Sequence, residues 1–524
     1  MITSPYADEP IPAVSVFDFL FSDLTAEDAA RTALVDGTTG DETTYGALKK
    51  QIELLAGALA ARQIGVGDVV ALHAPNVPAF ATVFHGILRS GATATTVSAL
   101  YTADEIETQL RDSGAKTIFT VGPLAAQALA AAEAVGIAPD RIIVLDGLEG
   151  HPNLRELLTE GAAAPEVAFD PATHVAVMPY SSGTTGIPKG VMLSHTNLVA
   201  NVAQVRAVLD VTADDVILAL LPFTHIYGMT VLLNVAVKKH AKLVTMPKFD
   251  LAEFLRIIQD EKCSYLFIAP PIAVALAKHP MVEQYDVSSV RAILSGAAPI
   301  DSNLAGAVAK RLNTRVRQGY GMSEASPVTH VLPPDRDDLP LGSIGFPIAN
   351  TTNKLVSVET GDEIEAPAEG VSEPGEIWVK GPNIMLGYLG RDDATAETVD
   401  SDGYLHTGDI GTIGPKGEMY IVDRLKELIK YKGYQVAPAE LEALLLTHPD
   451  ITDAAVVGAL DADDQEIPKA FVVRREGAPL DEEGVMSFVA EQVAPHKKVR
   501  AVAFIDVVPK SSSGKILRKD LKGK

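Results

Sequence analysis

Residues 181–190 read Ser-Ser-Gly-Thr-Thr-Gly-Ile-Pro-Lys-Gly, a hydroxyl- and glycine-rich run that ends in lysine. Glycines let backbone N–H groups approach phosphate oxygens without Cβ clashes, and Ser and Thr hydroxyls add donors. An apolar stretch at 175–178 precedes the run, and a helix-like segment beginning at Asn197 follows it. It is not the Walker loop: counting from Gly183, the sixth position is Pro188 and the eighth is Gly190. A flexible surface turn is the plain alternative, but the ten-residue string is far more particular than a turn requires. Nine residues from the C-terminus a second loop, Pro509-Lys-Ser-Ser-Ser-Gly-Lys515, delivers another lysine. The pair suggests an enzyme that handles ATP with two lysines carried on different domains.

At 524 residues the chain is too long for one core and should split into two or more domains. Its 47% hydrophobic and 21% charged residues match a soluble globular protein. One cysteine, Cys263, excludes a disulfide framework or a multi-cysteine metal site and fits a reducing cytosol, so a cytoplasmic location is expected. The first ten residues lack a basic n-region and an apolar h-region, so no signal peptide is expected. No uncharged apolar run reaches membrane-spanning length, and Lys-Gly-Lys is not a peroxisomal address. A net charge of −24 repels nucleic acid. It would repel ATP too, unless positive charge gathers where the ligand sits. Arg424, Lys426, Lys430 and Lys432 stand against one acid, Glu427, and residues 495–524 hold nine Lys/Arg against Asp506 and Asp520. A solvated tail would explain the second cluster alone. Two basic clusters in one terminal region of an acidic chain favour a polyanionic ligand.

These residues need elements to place them. Strand-like segments at 69–74, 92–98, 116–121 and 141–145 alternate with helix-like ones at 78–90, 103–112 and 123–135. The rhythm recurs at 241–246, 251–260, 264–268, 272–278 and 292–294. It predicts right-handed βαβ units and parallel sheets. From about 340 to 423, Gly-rich turns separate short segments at 353–358, 376–380 and 418–422, which predicts a small β-rich subdomain. After Asp423-Arg424 comes a compact α+β unit, with helices at 438–446 and 482–493 and strands at 454–457, 470–474 and 502–505. The expected architecture is a large α/β N-terminal domain, residues 1–423, and a small mobile C-terminal domain, residues 424–524.

With the segments placed, the chain resembles the adenylate-forming superfamily of acyl-CoA synthetases, luciferases and adenylation domains. The strings that carry the resemblance are residues 180–190, Phe223-Thr-His-Ile-Tyr-Gly228, Gln318-Gly-Tyr-Gly-Met-Ser-Glu324, Gly375-Glu-Ile-Trp-Val-Lys-Gly381, Tyr404-Leu-His-Thr-Gly-Asp409, residues 423–435 and residues 509–515, in the family's order. Residues 423–442 look most like the 4-coumarate:CoA ligase branch, and the texture suggests a bacterial member. The resemblance implies two half-reactions: a carboxylate attacks the α-phosphorus of ATP to give acyl-AMP and pyrophosphate, then the thiol of coenzyme A displaces AMP. It also implies a C-terminal domain that rotates between the halves.

Roles follow position by position from the resemblance. Ser181, Ser182, Gly183, Thr184, Thr185 and Lys189 match the phosphate loop. Gln318, Gly319 and Tyr320 match the adenine stretch, and Ser323 stands where threonine is usual. Glu324 matches the magnesium-linked carboxylate, with Thr185 beside the metal. Asp409 and Arg424 match ribose contacts, and Lys426 the hinge. Lys430 and Gln435 match residues of the thioester half, and Lys515 the lysine of adenylation. Lys248, Lys432 and Gly433 match coenzyme A contacts. His225, Tyr227, Val231, Leu294, Ala297, Gly321, Pro327 and Val328 match the acid pocket of plant coumarate ligases. Val231 and Leu294 stand where those enzymes place polar groups facing the phenol. A buried phenol without a partner costs roughly 1–3 kcal/mol, so the pocket should favour 4-coumarate less over cinnamate. Alone, Glu324 would read as an acid offsetting a helix dipole, Asp409 as a turn residue, His225 as a packed histidine and Lys515 as a tail lysine. Their ordered coincidence argues otherwise. The expected ligands are a small carboxylic acid, ATP with Mg2+, and coenzyme A, with no nucleic acid and no membrane span, in a monomer or weak homodimer. Medium- or long-chain fatty acyl-CoA synthesis, luciferase-like oxidation, loading of a carrier protein and a degenerate binding protein are the competing readings.

Overall fold

The computed structural model describes residues 1–181, 188–432, 434–461, 465–511 and 514–522, without the side chains of Tyr434 and Gln435. Among the described residues, two large sheets form the N-terminal body. In the first, Val69–His73 lies between Thr93–Val97 and Thr117–Thr120, and Thr117–Thr120 also pairs with Ile142–Val144; all these pairings are parallel. Val175–Val177 extends it, followed by the antiparallel strands Lys189–Ser194 and Gly387–Tyr388. The second sheet runs through Val216–Ala219, Tyr265–Ile268, Ala292–Ser295 and Arg315–Gly321, again in parallel, and then turns antiparallel at Val328–Val331. The strands are short and apolar because helices cover both faces, as parallel crossovers demand.

Local chemistry sets the helix limits. Pro78 starts Pro78–Arg89 at a position where its missing N–H costs nothing. Thr102 and Glu105 form a capping box that opens Ala103–Ser113, and Gly114 ends it in the left-handed region. The helix expected from Asn197 begins two residues earlier, at His195, because the Ser194 side chain accepts from the Asn197 N–H and the Asn197 side chain answers.

The β-rich part is a fully antiparallel sheet of Ile2–Thr3, Thr352–Val356, Gly375–Lys380, Leu405–Ile413 and Met419–Arg424. Beyond it, the hairpin Ile429–Tyr431/Tyr434–Val436 and the sheet Ile451–Leu460, Glu466–Arg474, Ala501–Phe504 share a separate core around Leu441, Leu445, Val456 and Val485. Tyr227–Asn234 winds as a π-helix, a rare form that is frequent at functional sites.

Candidate active site

One cavity of about 790 Å³ opens where the two large sheets, the antiparallel sheet and the C-terminal tail meet. Its walls come from sheet edges and strand ends, where ligands of open α/β sheets usually sit.

The strand Arg315–Gly321 supplies one wall. Gly319, Tyr320 and Gly321 line the cavity, and the short turn Ser323–Ala325 then brings in Ser323 and Glu324. Gly321 is required here, since a Cβ on it would lie 2.1 Å from the Pro327 carbonyl oxygen. The Tyr320 hydroxyl donates to Asp409 Oδ2 at 2.6 Å. Asp409 faces Arg424 across paired strands, with Arg424 Nε 3.4 Å from Asp409 Oδ1. Burial and the Asp409 charge push the Tyr320 phenol well above its usual range, so it stays a donor. Asp409 and Arg424 thus present a carboxylate and a guanidinium side by side, able to accept from and donate to a ribose.

Glu324 is 6% exposed. Its Oε1 accepts from the Tyr388 hydroxyl at 2.8 Å and from Ser181 Oγ at 3.3 Å. Ser181 pairs with Lys189 across antiparallel strands, and the Lys189 ammonium lies 4.6 Å from the Tyr388 ring centroid.

Lys515 reaches the cavity from the far end of the chain. Its loop is held by the Ser511 N–H donating to the Lys515 carbonyl at 2.8 Å and by Gly514 at φ +84, a conformation that strains other residues. The loop seats on the N-terminal body: a Cβ on Gly514 would lie 3.3 Å from that of Ala269. Burial and then the Arg424 charge push the Lys515 ammonium down to about 8. His225 lines the same space, and burial followed by the Lys515 charge pushes its imidazole down to about 4, so it is neutral at ordinary pH. Its Nδ1 accepts from the Tyr227 N–H at 3.2 Å.

The remaining wall is apolar. Tyr227, Leu294, Ala297, Pro327 and Val328 line it, and the Tyr227 hydroxyl donates to the Leu294 carbonyl at 3.3 Å. Val231 departs from the expectation: it lies four residues further along the π-helix, fully buried in the main core, and does not line the cavity, whose wall here is Tyr227. Gln318 departs as well. Its carboxamide accepts from the Ile300 N–H at 2.9 Å and donates to the Ile300 and Leu341 carbonyls, so it braces a loop behind the wall.

Lys426 is exposed on the cavity rim. Lys430 and Lys432 are exposed on neither cavity wall; the Lys430 N–H donates to Glu466, and the Lys432 ammonium lies 5.4 Å from the Tyr431 ring centroid. Lys248 lines a smaller adjoining cavity of about 330 Å³ that shares Ser98, Leu100 and Thr224 with the larger one. Ser182, Gly183, Thr184, Thr185 and Gly433 lie outside the described residues, as does the Gln435 side chain.

Sequence reasoning missed Tyr388, Lys510 and Lys519 on the cavity wall. The two lysines belong to the basic tail that had been singled out. Tyr388 sits in a two-residue strand, too short for any periodic signal.

The family model described as AMP-binding enzyme matches residues 21–389, and that of the AMP-binding enzyme C-terminal domain matches 440–515. A 4-coumarate--CoA ligase from Solanum tuberosum is 42% identical over 506 residues, 94% of this chain and 91% of the relative. One from Arabidopsis thaliana is 41% identical over 530 residues, covering 97% and 91%. ATP-bound MatB from Rhodopseudomonas palustris superposes with a TM-score of 0.87 at 28% identity, over 97% of this chain and 98% of that one. A benzoate CoA ligase from Burkholderia xenovorans LB400 shares the fold, with a TM-score of 0.86 at 23% identity over 97% and 99%. The chain belongs to the AMP-binding, adenylate-forming enzyme family, in its 4-coumarate:CoA ligase-like branch, and is an ATP-dependent, AMP-forming ligase of carboxylic acids with coenzyme A.

Proposed function

We propose that this ligase acts on 4-coumarate- and cinnamate-type aryl acids. The observation that carries the reading is the division of one cavity into a charged end, with Asp409, Arg424 and Lys515, and an apolar end walled by Tyr227, Leu294 and Val328. Curated relatives at 40–42% identity named as 4-coumarate--CoA ligases support the substrate class.

The acid carboxylate enters beside neutral His225 and attacks the α-phosphorus of ATP. A new O–P bond forms, and the bond to pyrophosphate breaks. Lys515 meets the negative charge that builds on the phosphate oxygens. Asp409 and Arg424 hold the ribose, and Gly319 and Tyr320 pack the adenine. Mg2+ suits this site: Glu324 offers a hard carboxylate oxygen and would hold the ion brought in on the ATP phosphates. When bound, it would offset charge on those phosphates. In the second half-reaction the coenzyme A thiolate attacks the acyl carbon and AMP leaves.

The apolar smaller cavity, with Lys248 on its wall, is the proposed thiol route. Gly514 of the Lys515 loop also lines that route. Lys515 at the site and Lys430 away from it favour an arrangement suited to adenylation, and a swing of the chain beyond Lys426 would exchange the two faces.

The test is AMP release with coenzyme A across cinnamates, benzoates and C6–C16 fatty acids. Cinnamate and 4-coumarate should show the highest kcat/KM; a higher value for any fatty acid assigns the apolar end to alkyl chains. In half-reaction assays, Lys515→Ala should abolish pyrophosphate exchange yet spare thioester formation from acyl-AMP, and Lys430→Ala should do the reverse. Normal exchange in Lys515→Ala would sink the assignment.

A further inference from the structure

The strand Gly387–Tyr388 touches both arms of the phosphate end. Its backbone pairs with Val191 and Met192, just past Lys189. On either side, the Leu389 N–H donates to the Gly190 carbonyl and the Met385 N–H to the Glu324 carbonyl, both at 2.9 Å. The Tyr388 side chain repeats this at the tips. Its hydroxyl donates to Glu324 Oε1 at 2.8 Å, while its ring face lies 4.6 Å from the Lys189 ammonium. Tyr388 is 6% exposed, so the side chain has little room to turn. A ring face attracts a cation while its hydroxyl donates to a carboxylate, so one side chain sets the spacing of two opposite charges without neutralising either.

We propose that Tyr388 is a positioning residue that holds Lys189 and Glu324 apart and aimed at the triphosphate and its magnesium ion. This deepens the reading above and rests on its assignment of the phosphate end. The hydroxyl serves the metal side through Glu324, and the ring serves the phosphate side through Lys189.

ATP binding to the full-length protein, measured by calorimetry in Mg2+ and in EDTA, tests the proposal without turnover. Tyr388→Phe should weaken ATP about tenfold in Mg2+, the scale of one lost hydrogen bond to a charged group, and leave binding in EDTA unchanged. Tyr388→Leu should weaken it in EDTA as well, by roughly threefold, as the cation loses its ring. Placed on Glu324→Gln, Tyr388→Phe should have no further effect. Equal losses in Mg2+ and EDTA, or a loss that adds to that of Glu324→Gln, overturn the proposal. Should Tyr388→Phe fail a thermal-melt check, Tyr388→His, which keeps a flat ring but withdraws the hydroxyl donor from Glu324, takes its place with the same Mg2+-specific expectation. If Glu324→Gln itself leaves the Mg2+ advantage intact, the metal-side reading fails and the proposal with it. If Glu324→Gln abolishes that advantage while Tyr388→Phe is silent, only the role of Tyr388 falls.

Discussion

A lysine pushed down to about 8 leaves a signature in the pH profile. In the role proposed for it, Lys515 must be charged to meet the phosphate oxygens, and it is charged below its pKa. The kcat/KM for pyrophosphate formation should therefore hold up to about pH 8 and fall above it. Lys515→Arg keeps the charge at every pH, so in that variant the fall should vanish even if the rate is lower. His225, near 4, should add no limb between pH 5 and 8. A profile unchanged by Lys515→Arg would assign the limb to another group. At the other end of the cavity, Leu294 lines the apolar wall proposed for the substrate ring and Val231 does not. Leu294→Lys should raise kcat/KM for 4-coumarate relative to cinnamate roughly ten- to a hundredfold, through a charge-assisted bond to the phenol worth about 1.5–3 kcal/mol. Val231→Ser should leave that ratio alone and lower Tm instead, since it buries a hydroxyl in the core. An unmoved ratio in folded Leu294→Lys would place the ring elsewhere.

The strand Arg315–Gly321 supplies Gly319, Tyr320 and Gly321 to the site. It pairs in parallel with Ala292–Ser295 and then, after a register shift at Tyr320/Gly321, runs antiparallel to Val328–Val331. That shift brings Gly321 against the Pro327 carbonyl with no space for a methyl group. Gly321→Ala must push the two backbones apart. Overpacking of this kind costs about 1–3 kcal/mol, so Tm should drop by several degrees, and acid binding should suffer because Tyr320, Pro327 and Val328 move together. A variant with wild-type Tm and KM would show that the strand yields there without consequence.

In the whole molecule, the C-terminal unit has its own core yet lends Lys515 to a site built by the N-terminal body. The chain's net charge of −24 repels ATP over most of the surface, and the basic tail concentrates attraction at the cavity. Lys426 stands between the last strand of the antiparallel sheet, Met419–Arg424, and the hairpin from Ile429. Lys426→Pro fixes φ near −65° and removes the N–H, so the swing proposed about this residue would be blocked. Pyrophosphate exchange should survive while overall thioester synthesis collapses about a hundredfold, the scale of misplaced reacting groups. Near-normal overall turnover would move the hinge to another residue.

Local patterns made the parallel α/β alternation legible, because strand and helix periods differ and the caps are written in adjacent residues. The order of motifs was equally legible, since the phosphate-loop, adenine, ribose and tail strings each lie within a dozen residues. Sheet partners were not. Ile2–Thr3 pairs with residues 352–353, and Thr32–Asp36 joins a sheet whose next strand is Lys242–Thr245. Nothing in a short segment encodes a partner so distant, because pairing is chosen by which buried faces fit once the body has collapsed. The same holds at the site. Val231 and Gln318 have the right position in the chain, but side-chain direction depends on the π-helix and on the loop at Ile300, and these turn both away from the cavity. Tyr388 has no sequence signal, yet sheet pairing carries it between Lys189 and Glu324. The chemistry available to this protein was fixed by residue types in order along the chain; which of those residues face one another was decided only by long-range packing.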